Sequence, residues 1–80
     1  MSRSRDVVEV IARALADRAD DVSVTEREDG EVLHVELSTA GRDLGRMIGR
    51  QGRTATSIRV LAELAQAPDE RRVTVDFVDE

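Results

Sequence analysis

The feature that most restricts the fold of this chain is a four-residue turn, Gly49 to Gly52, between two segments with helical spacing. An apolar pair, Met47 and Ile48, leads into the first glycine. Gly49 suits the left-handed residue that ends a helix. Gly52 suits the start of the next helix, where another backbone can come close. The sequence therefore predicts two helices joined by a short turn with an accessible backbone.

The residues before the turn predict a helix and then a hairpin. Apolar residues recur every three or four positions from Ser4 to Ala19, with Ser4 as the expected N-cap. Alternating residues over 21–38, with Asp29-Gly30 as a turn whose two central positions need positive φ, predict an antiparallel hairpin. The predicted apolar face of its return strand comprises Leu33, Val35 and Leu37.

The residues around and after the turn predict two helices and a strand. Ser38-Thr39 supplies cap chemistry for a short helix from about Arg42 to Ile48. A longer helix runs from Arg53 to Ala67, where Pro68 stops it and Asp69-Glu70 turns the chain. The predicted buried side of that helix comprises Ala55, Ile58, Leu61, Ala62 and Ala65. Inward positions of the final strand are Val73, Val75 and Phe77.

This order of elements predicts an α+β fold. Helix, strand, strand, helix, helix, strand is compatible with three helices packed on one face of a three-stranded sheet. With 80 residues, the chain has room for one hydrophobic core, so residues 1–80 are predicted to form a single domain.

The charge distribution distinguishes the turn from the rest of the chain. The net charge is −5, but residues 41–60 carry +4 and the other sixty residues carry −9. A local basic face on an acidic body can bind nucleic acid, which the overall charge alone would not indicate.

The turn has the chemistry of a clamp for a nucleic-acid backbone. The helix after it presents free N–H groups and the positive end of its dipole. Ile48 and Ile58 are expected to line a neighbouring groove for unstacked bases. Because Phe77 is the only aromatic residue, that groove is predicted to be aliphatic rather than a stacking platform. The side chains expected to contact phosphates are Arg46, Arg50, Gln51 and Arg53.

The segment from Ile48 to Ile58 resembles the signature of the KH domain, whose GXXG loop clamps four backbone nucleotides. The most specific part of the resemblance is the run from Gly45 to Ala55. The element order resembles the prokaryotic, type II KH fold, and the chain is similar to the small bacterial KH proteins of the KhpA (YlqC) family. One departure is Gly41-Arg42 ahead of Asp43, where relatives often carry Pro-Glu. The resemblance implies single-stranded RNA binding by Gly49, Arg50, Gln51 and Gly52, with Ile48 and Ile58 framing the groove.

The resemblance also implies partners and a cellular role. These are a homodimer, or a heterodimer with a second KH protein that carries an R3H domain, and a function as an RNA chaperone or post-transcriptional regulator linked to cell shape and cell-wall synthesis. No cofactor or metal is expected. The polar N-terminus and the lack of an apolar run of about 20 residues predict a soluble, cytoplasmic protein without a membrane segment.

Three other functions compete with this interpretation. A helix-turn-helix over residues 42–67 could read duplex DNA, although few exposed residues of its second helix suit base edges. A protein-interaction module could use the groove only for dimerisation. An enzyme is disfavoured because the chain has no cysteine and one histidine, His34, on the polar face of the hairpin. The hydroxyl residues near the turn that lack a histidine partner are Thr54, Thr56 and Ser57.

Overall fold

The computed structural model describes residues 1–66 and 71–79, with only the backbone described for Asp79. The elements are α1 (Arg3–Leu15), β1 (Ser23–Asp29), β2 (Val32–Thr39), α2 (Gly41–Ile48), α3 (Arg53–Ala65) and β3 (Arg72–Asp79). Short 3₁₀ turns occupy Ala19–Asp21 and Arg50–Gly52. The predicted α-β-β-α-α-β order and α+β class are confirmed. The predicted helix stop at Pro68 and turn at Asp69-Glu70 lie outside the described residues.

The sheet has the strand order β1-β2-β3, with β2 in the centre. β1 and β2 pair antiparallel, and β2 and β3 pair parallel. Val35 of β2 therefore lies opposite Glu26 on one side and Val75 on the other. The predicted inward residues of β2 are all buried beneath the helices: Leu33, Val35 and Leu37.

All three helices contribute small or medium apolar side chains to one core. Because Ala12 and Ala62 are small, α1 and α3 can approach closely, and the Ser4 hydroxyl donates a hydrogen bond to the Ala62 carbonyl across this contact. Phe77, predicted to be a core residue, is only partly buried and packs against the core. The buried helix residues in the core cluster are Val8, Ala12, Met47, Ile58 and Ala62.

The predicted N-cap of α1 is wrong by two residues. Ser2 is the N-cap, and its hydroxyl accepts a hydrogen bond from the Arg5 N–H at 3.0 Å. Ser4 lies inside the helix, where its hydroxyl is fully buried against α3. A serine at either position satisfies the local capping pattern, so only the tertiary contact distinguishes them.

α1 also ends earlier than its apolar spacing predicts. The helix stops at Leu15, and Ala16 is already extended, whereas the pattern continues to Ala19. The next N–H groups, those of Asp17 and Arg18, donate to a distant carboxylate on α2 rather than to helix carbonyls. A contact between distant parts of the chain thus determines this helix end.

The turns before and after β2 differ from their sequence predictions. Asp29 pairs with Val32, so the hairpin turn consists of Gly30 and Glu31, and of these two only Gly30 has positive φ, at 60°. The prediction that both Asp29 and Gly30 have positive φ is therefore wrong.

Ser38 and Thr39 do not cap α2. Both belong to β2, and Ala40 is the N-cap, without a side-chain hydrogen bond. The Thr39 side chain is buried, and its hydroxyl has no hydrogen-bond partner among the described residues. Because Ser38 and Thr39 pair within the sheet, they do not act as helix caps, although their side chains could do so.

The buried side of α3 is narrower than predicted. Ala55, Ile58 and Ala62 are buried, whereas Leu61 is 45% exposed and Ala65 is only partly buried. The helix ends at Ala65 rather than Ala67. Since Ala55, Ile58 and Ala62 follow one line along the helix, Leu61 falls on its flank.

Candidate nucleic-acid interface

Three residues with positive φ reverse the chain between α2 and α3. Gly49 ends α2 with φ 75° and ψ 176°, a conformation essentially limited to glycine, and its N–H donates to the Gly45 carbonyl at 2.8 Å. Gly52 precedes α3 in the left-handed region, with φ 74°. Gln51, between them, has φ 57°. Gly49 has the positive φ expected of a left-handed residue at the end of a helix, but its ψ of 176° lies outside the left-handed helical region.

The two glycines are required for different reasons. A Cβ on Gly49 would lie 2.8 Å from the Thr54 Cβ and 3.0 Å from the Thr54 nitrogen, so no side chain fits there. A Cβ on Gly52 would meet no atom within 4 Å. The surface at Gly52 therefore opens to solvent, and the space above it is available to a ligand.

The tip of the turn presents its polar side chains to solvent. Arg50, Gln51 and Arg53 are all exposed. One Arg53 nitrogen donates to the Gln51 side-chain oxygen at 3.1 Å, which joins these two side chains. Arg50 forms no ion pair within residues 1–66 and 71–79. Its guanidinium thus remains available for an anion.

Arg46 lies in a different environment from the arginines of the turn. Its guanidinium forms two hydrogen bonds with the Asp17 carboxylate, at 3.1 and 2.8 Å. Its Nε is also 3.7 Å from the Asp43 carboxylate. The structure therefore places Arg46 against the segment that follows α1, already paired, and does not bring it together with Arg50 and Arg53.

Asp43 connects the base of α2 to that same segment. It is 1% exposed, and its two oxygens accept the Arg18 and Asp17 N–H groups at 3.0 Å each. These two hydrogen bonds lower the pKa of the Asp43 carboxyl below its usual value despite its burial, and the bond from the Arg18 N–H has the larger effect. A charged carboxylate thus holds α2 in place at the end opposite the turn.

A groove begins at the turn and continues between α3 and the edge strand β3. It encloses about 610 Å³, within the usual range of ligand sites. Ile48, predicted to line such a groove, does so and is 39% exposed. Ile58, the other predicted groove residue, is 1% exposed, belongs to the core, and does not line it. The lining residues are Glu36, Ile48, Gly52, Ala55, Arg59, Asp76, Phe77 and Val78.

Arg59 and Phe77 are groove residues that the sequence interpretation misses. The Arg59 guanidinium carbon lies 5.0 Å from the centre of the Phe77 ring, and Arg59 Nε donates to the Val75 carbonyl at 3.4 Å. Helical spacing could have indicated Arg59, since it lies one turn after Ala55 on the same face of α3. Phe77 alternates with Asp76 along β3 and falls on the inward face with Val73 and Val75, so the sequence predicts only a core position for it. The groove therefore contains an aromatic ring, and the prediction of a purely aliphatic groove is wrong.

The described residues contain neither a cluster of metal ligands nor a membrane-spanning helix. No three metal-ligating side chains lie together in residues 1–66 and 71–79. Within the same ranges, each helix is too short or too polar to cross a bilayer.

A sequence model described as KhpA/KhpB, KH domain matches residues 5–77. This match includes α2, the turn, α3 and most of the groove. The chain belongs to the KhpA/KhpB KH-domain family. The structure accordingly represents a KH fold with the type II order, in which the Gly49–Gly52 turn joins α2 and α3.

Individual relatives agree with the family assignment over nearly their whole length. "RNA-binding protein KhpA" of Halalkalibacterium halodurans is 47% identical over 75 residues, which cover 94% of this chain and 99% of that protein. The protein of the same name from Leifsonia xyli is 43% identical over 88% of this chain and 90% of its own length. That of Caldanaerobacter subterraneus is 38% identical over 91% and 97%. No solved structure matches the chain significantly.

Proposed function

We propose that this KH domain binds single-stranded RNA, with the RNA backbone against the Gly49–Gly52 turn and the bases in the adjoining groove. One observation carries the proposal: Gly52 belongs to both the turn and the groove, and the space above it is open. A strand that passes over Gly52 would therefore meet Arg50 on its phosphate side and the groove on its base side. The relatives named RNA-binding protein KhpA support this assignment.

The shape of the site favours a single strand over a duplex. Bases can enter a groove beside a backbone clamp only when they are unpaired and turned outward. The acidic body of the chain would repel a long duplex, whereas a few nucleotides can remain within the basic region around the turn. Competition between matched RNA and duplex DNA oligonucleotides separates this proposal from a helix-turn-helix, and tighter duplex binding would contradict it.

The proposal is tested by replacing the two exposed residues at the tip. Arg50→Asp with Gln51→Asp should leave the fold intact, because neither side chain is buried. RNA affinity, measured by fluorescence anisotropy, should fall more than about tenfold, since two favourable contacts become repulsive. The control for reversing one basic side chain is Arg3→Asp, at an exposed position on α1 away from the turn. Unchanged affinity in a folded double variant would contradict the clamp.

Salt dependence provides a second measurement. A grip on three or four phosphates should give a log–log slope of affinity against salt of about −2 to −3, at roughly −0.7 for each phosphate of a single strand. A flat response would mean that the turn does not bind phosphates.

The proposed partner is a second KH unit, either another copy of this chain or a KH protein with an R3H domain. A linked second site would raise the affinity of a single short clamp. Exposed apolar side chains on α3, at Val60, Leu61 and Leu64, support an association surface. Leu64→Glu should shift the chain towards monomer in light scattering if that surface is used.

The proposed cellular role is that of a cytoplasmic RNA chaperone or post-transcriptional regulator connected with cell shape and cell-wall synthesis. It rests on the family resemblance. We propose no catalytic step. Complementation of a deletion strain by the intact chain, but not by the Arg50→Asp, Gln51→Asp variant, would support a role through RNA. Equal complementation would favour a protein-interaction module.

A further inference from the structure

We propose that a base of the bound strand stacks on the Arg59 guanidinium, which makes Arg59 a base-contacting residue rather than a phosphate-binding one. This inference rests on the proposed RNA-binding function, and it adds the side chain that holds a base in the groove. Phe77, the only aromatic residue of the chain, lies under that guanidinium and is not itself the stacking surface.

The position of Arg59 is defined by its contact with the edge strand β3. At the start of β3, the Arg72 N–H donates to the Glu31 carbonyl, on the side of β2. Because successive residues of a strand point their N–H and C=O groups to opposite sides, the Val75 carbonyl points away from β2, at the outer edge of the sheet. The Arg59 Nε donates to this carbonyl at 3.4 Å. The guanidinium therefore lies at the open edge of β3, where the groove runs between this strand and α3.

The same guanidinium covers the aromatic ring of the groove. Phe77 is partly buried and packs against the core, and the Arg59 guanidinium carbon is over its ring, 5.0 Å from the centre. A base that enters the groove cannot stack on the ring face that Arg59 already covers. It meets the guanidinium instead, and a planar guanidinium is itself a surface on which bases stack.

Arg59 is available for this contact. Its side chain is exposed, and it forms no ion pair with any residue in 1–66 or 71–79. Arg46 differs, because its guanidinium is already bonded to the Asp17 carboxylate. Arg59 is thus held by β3 on one side and accessible to a ligand on the other.

The distance along α3 assigns Arg59 to a base rather than to the phosphates at the turn. Seven positions separate Gly52 from Arg59, which is a rise of about 10 Å along a helix. The guanidinium is held at Val75 and Phe77 instead of extending towards the turn. It therefore meets the part of a nucleotide that enters the groove, while Arg50 remains beside the backbone.

The test combines Arg59→Lys with abasic nucleotides. Lysine keeps the positive charge but has no planar group on which a base can stack. The ligands are a uridine tetramer, about the length that one KH domain clamps, and four tetramers that each lack one base. Because Arg59 is exposed, the variant should keep the fold, which circular dichroism checks.

In anisotropy titrations of the unmodified chain, loss of the base that stacks on Arg59 should lower the affinity about tenfold, the scale of one stacked base. Arg59→Lys should weaken binding of the intact tetramer by a similar factor. Loss of that same base should then cost the variant at most about twofold, since the stacking contact is already gone. The control is Arg3→Lys, an exposed position on α1, which should leave all five affinities unchanged.

The outcomes separate this inference from the proposed function. An equal effect of Arg59→Lys on the intact tetramer and on all four abasic ones would show that Arg59 binds a phosphate. Unchanged binding of the intact tetramer would show that Arg59 does not contact RNA. Either result overturns the inference and leaves RNA binding intact. If the unmodified chain binds neither the tetramer nor a longer uridine strand, both the proposed function and this inference fail.

Discussion

The two ends of α2 have opposite environments. At its base, the helix is held by the buried carboxylate of Asp43, which accepts two N–H groups from the segment after α1. At its tip, the chain passes through Gly49 and presents Arg50 to solvent. One end therefore contributes stability and the other a candidate binding surface. Substitutions at the base should change folding, and substitutions at the tip should change binding.

Gly49 is the position where this division is expected to fail, because it belongs to the tip but is constrained by packing. Gly49→Ala should destabilise the fold by about 3–4 kcal/mol, since it adds strain at an unfavourable φ/ψ to a clash with Thr54. Urea denaturation measures the change. The control is Gly45→Ala in the same helix, where a Cβ meets nothing and stability should rise by about 0.5–1 kcal/mol. Similar results for both variants would show that Gly49 is not special.

Asp43→Ala tests the base of the helix. The Asp17 and Arg18 N–H groups would lose their acceptor, and the melting temperature should fall on the order of 10 °C. Thermal unfolding followed by circular dichroism measures this. Asp17→Ala is the comparison, because it removes an exposed ion pair with Arg46 and should shift the midpoint by only a few degrees. If the two effects were equal, the buried carboxylate would not be the main anchor.

Low pH should lower the free energy of unfolding that Asp43 contributes at the N-terminal end of α2, and it should have less effect on the Gly49–Gly52 turn at the other end. The pKa of Asp43 is lowered in the folded state, so its contribution is complete above the ordinary pKa of about 4 and is lost as the pH falls through the lower, folded value. Hydrogen bonds from Ser2 and Arg5 likewise lower the pKa of Glu26 and Glu9, respectively. Urea midpoints should therefore decline below about pH 4, and more steeply in the parent chain than in Asp43→Ala. Parallel declines would assign the acid sensitivity to other carboxylates.

Gly52→Ala should separate binding from stability. The added methyl group meets no protein atom, so the expected loss is only the left-handed strain of about 1–2 kcal/mol. RNA affinity should nevertheless fall about tenfold, because the methyl group occupies the space proposed for the RNA backbone. Gly30→Ala is a matched control, with φ 60° and an equally open site on the hairpin. Gly30→Ala should lower the free energy of unfolding by a similar amount, but the RNA affinity measured by anisotropy should not change. Equal RNA affinity for both variants would place the RNA backbone elsewhere.

Local patterns predict the elements of this fold well, but contacts between distant residues correct their ends. Alternation correctly identifies the inward residues of β2, and glycine spacing identifies the turn. The early end of α1 depends on Asp43, which lies 26 residues beyond Asp17 in the chain. The periodicity of α1 contains no information about that carboxylate.

The candidate site was predictable in its backbone and less so in its side chains. The positive φ at Gly49 follows from glycine in that position. Arg46 is basic and near the turn in sequence, but its pairing with Asp17 depends on how α1 and α2 pack. Phe77 has the parity of a core residue, but β3 is an edge strand, so its ring reaches the groove. Charge and spacing therefore predict where the candidate site lies, and packing decides which side chains line the groove.

The parallel pairing of β2 with β3 has a consequence for how the site forms during folding. β2 meets β1 through a tight hairpin, whereas Val35 pairs with Val75, which lies forty positions further along the chain. Closing such a long loop is slower than forming a hairpin. Since Asp76, Phe77 and Val78 form one wall of the groove, the hairpin and even the glycine turn can form before any complete groove exists. A nascent chain on the ribosome would thus complete the groove only once β3 has emerged.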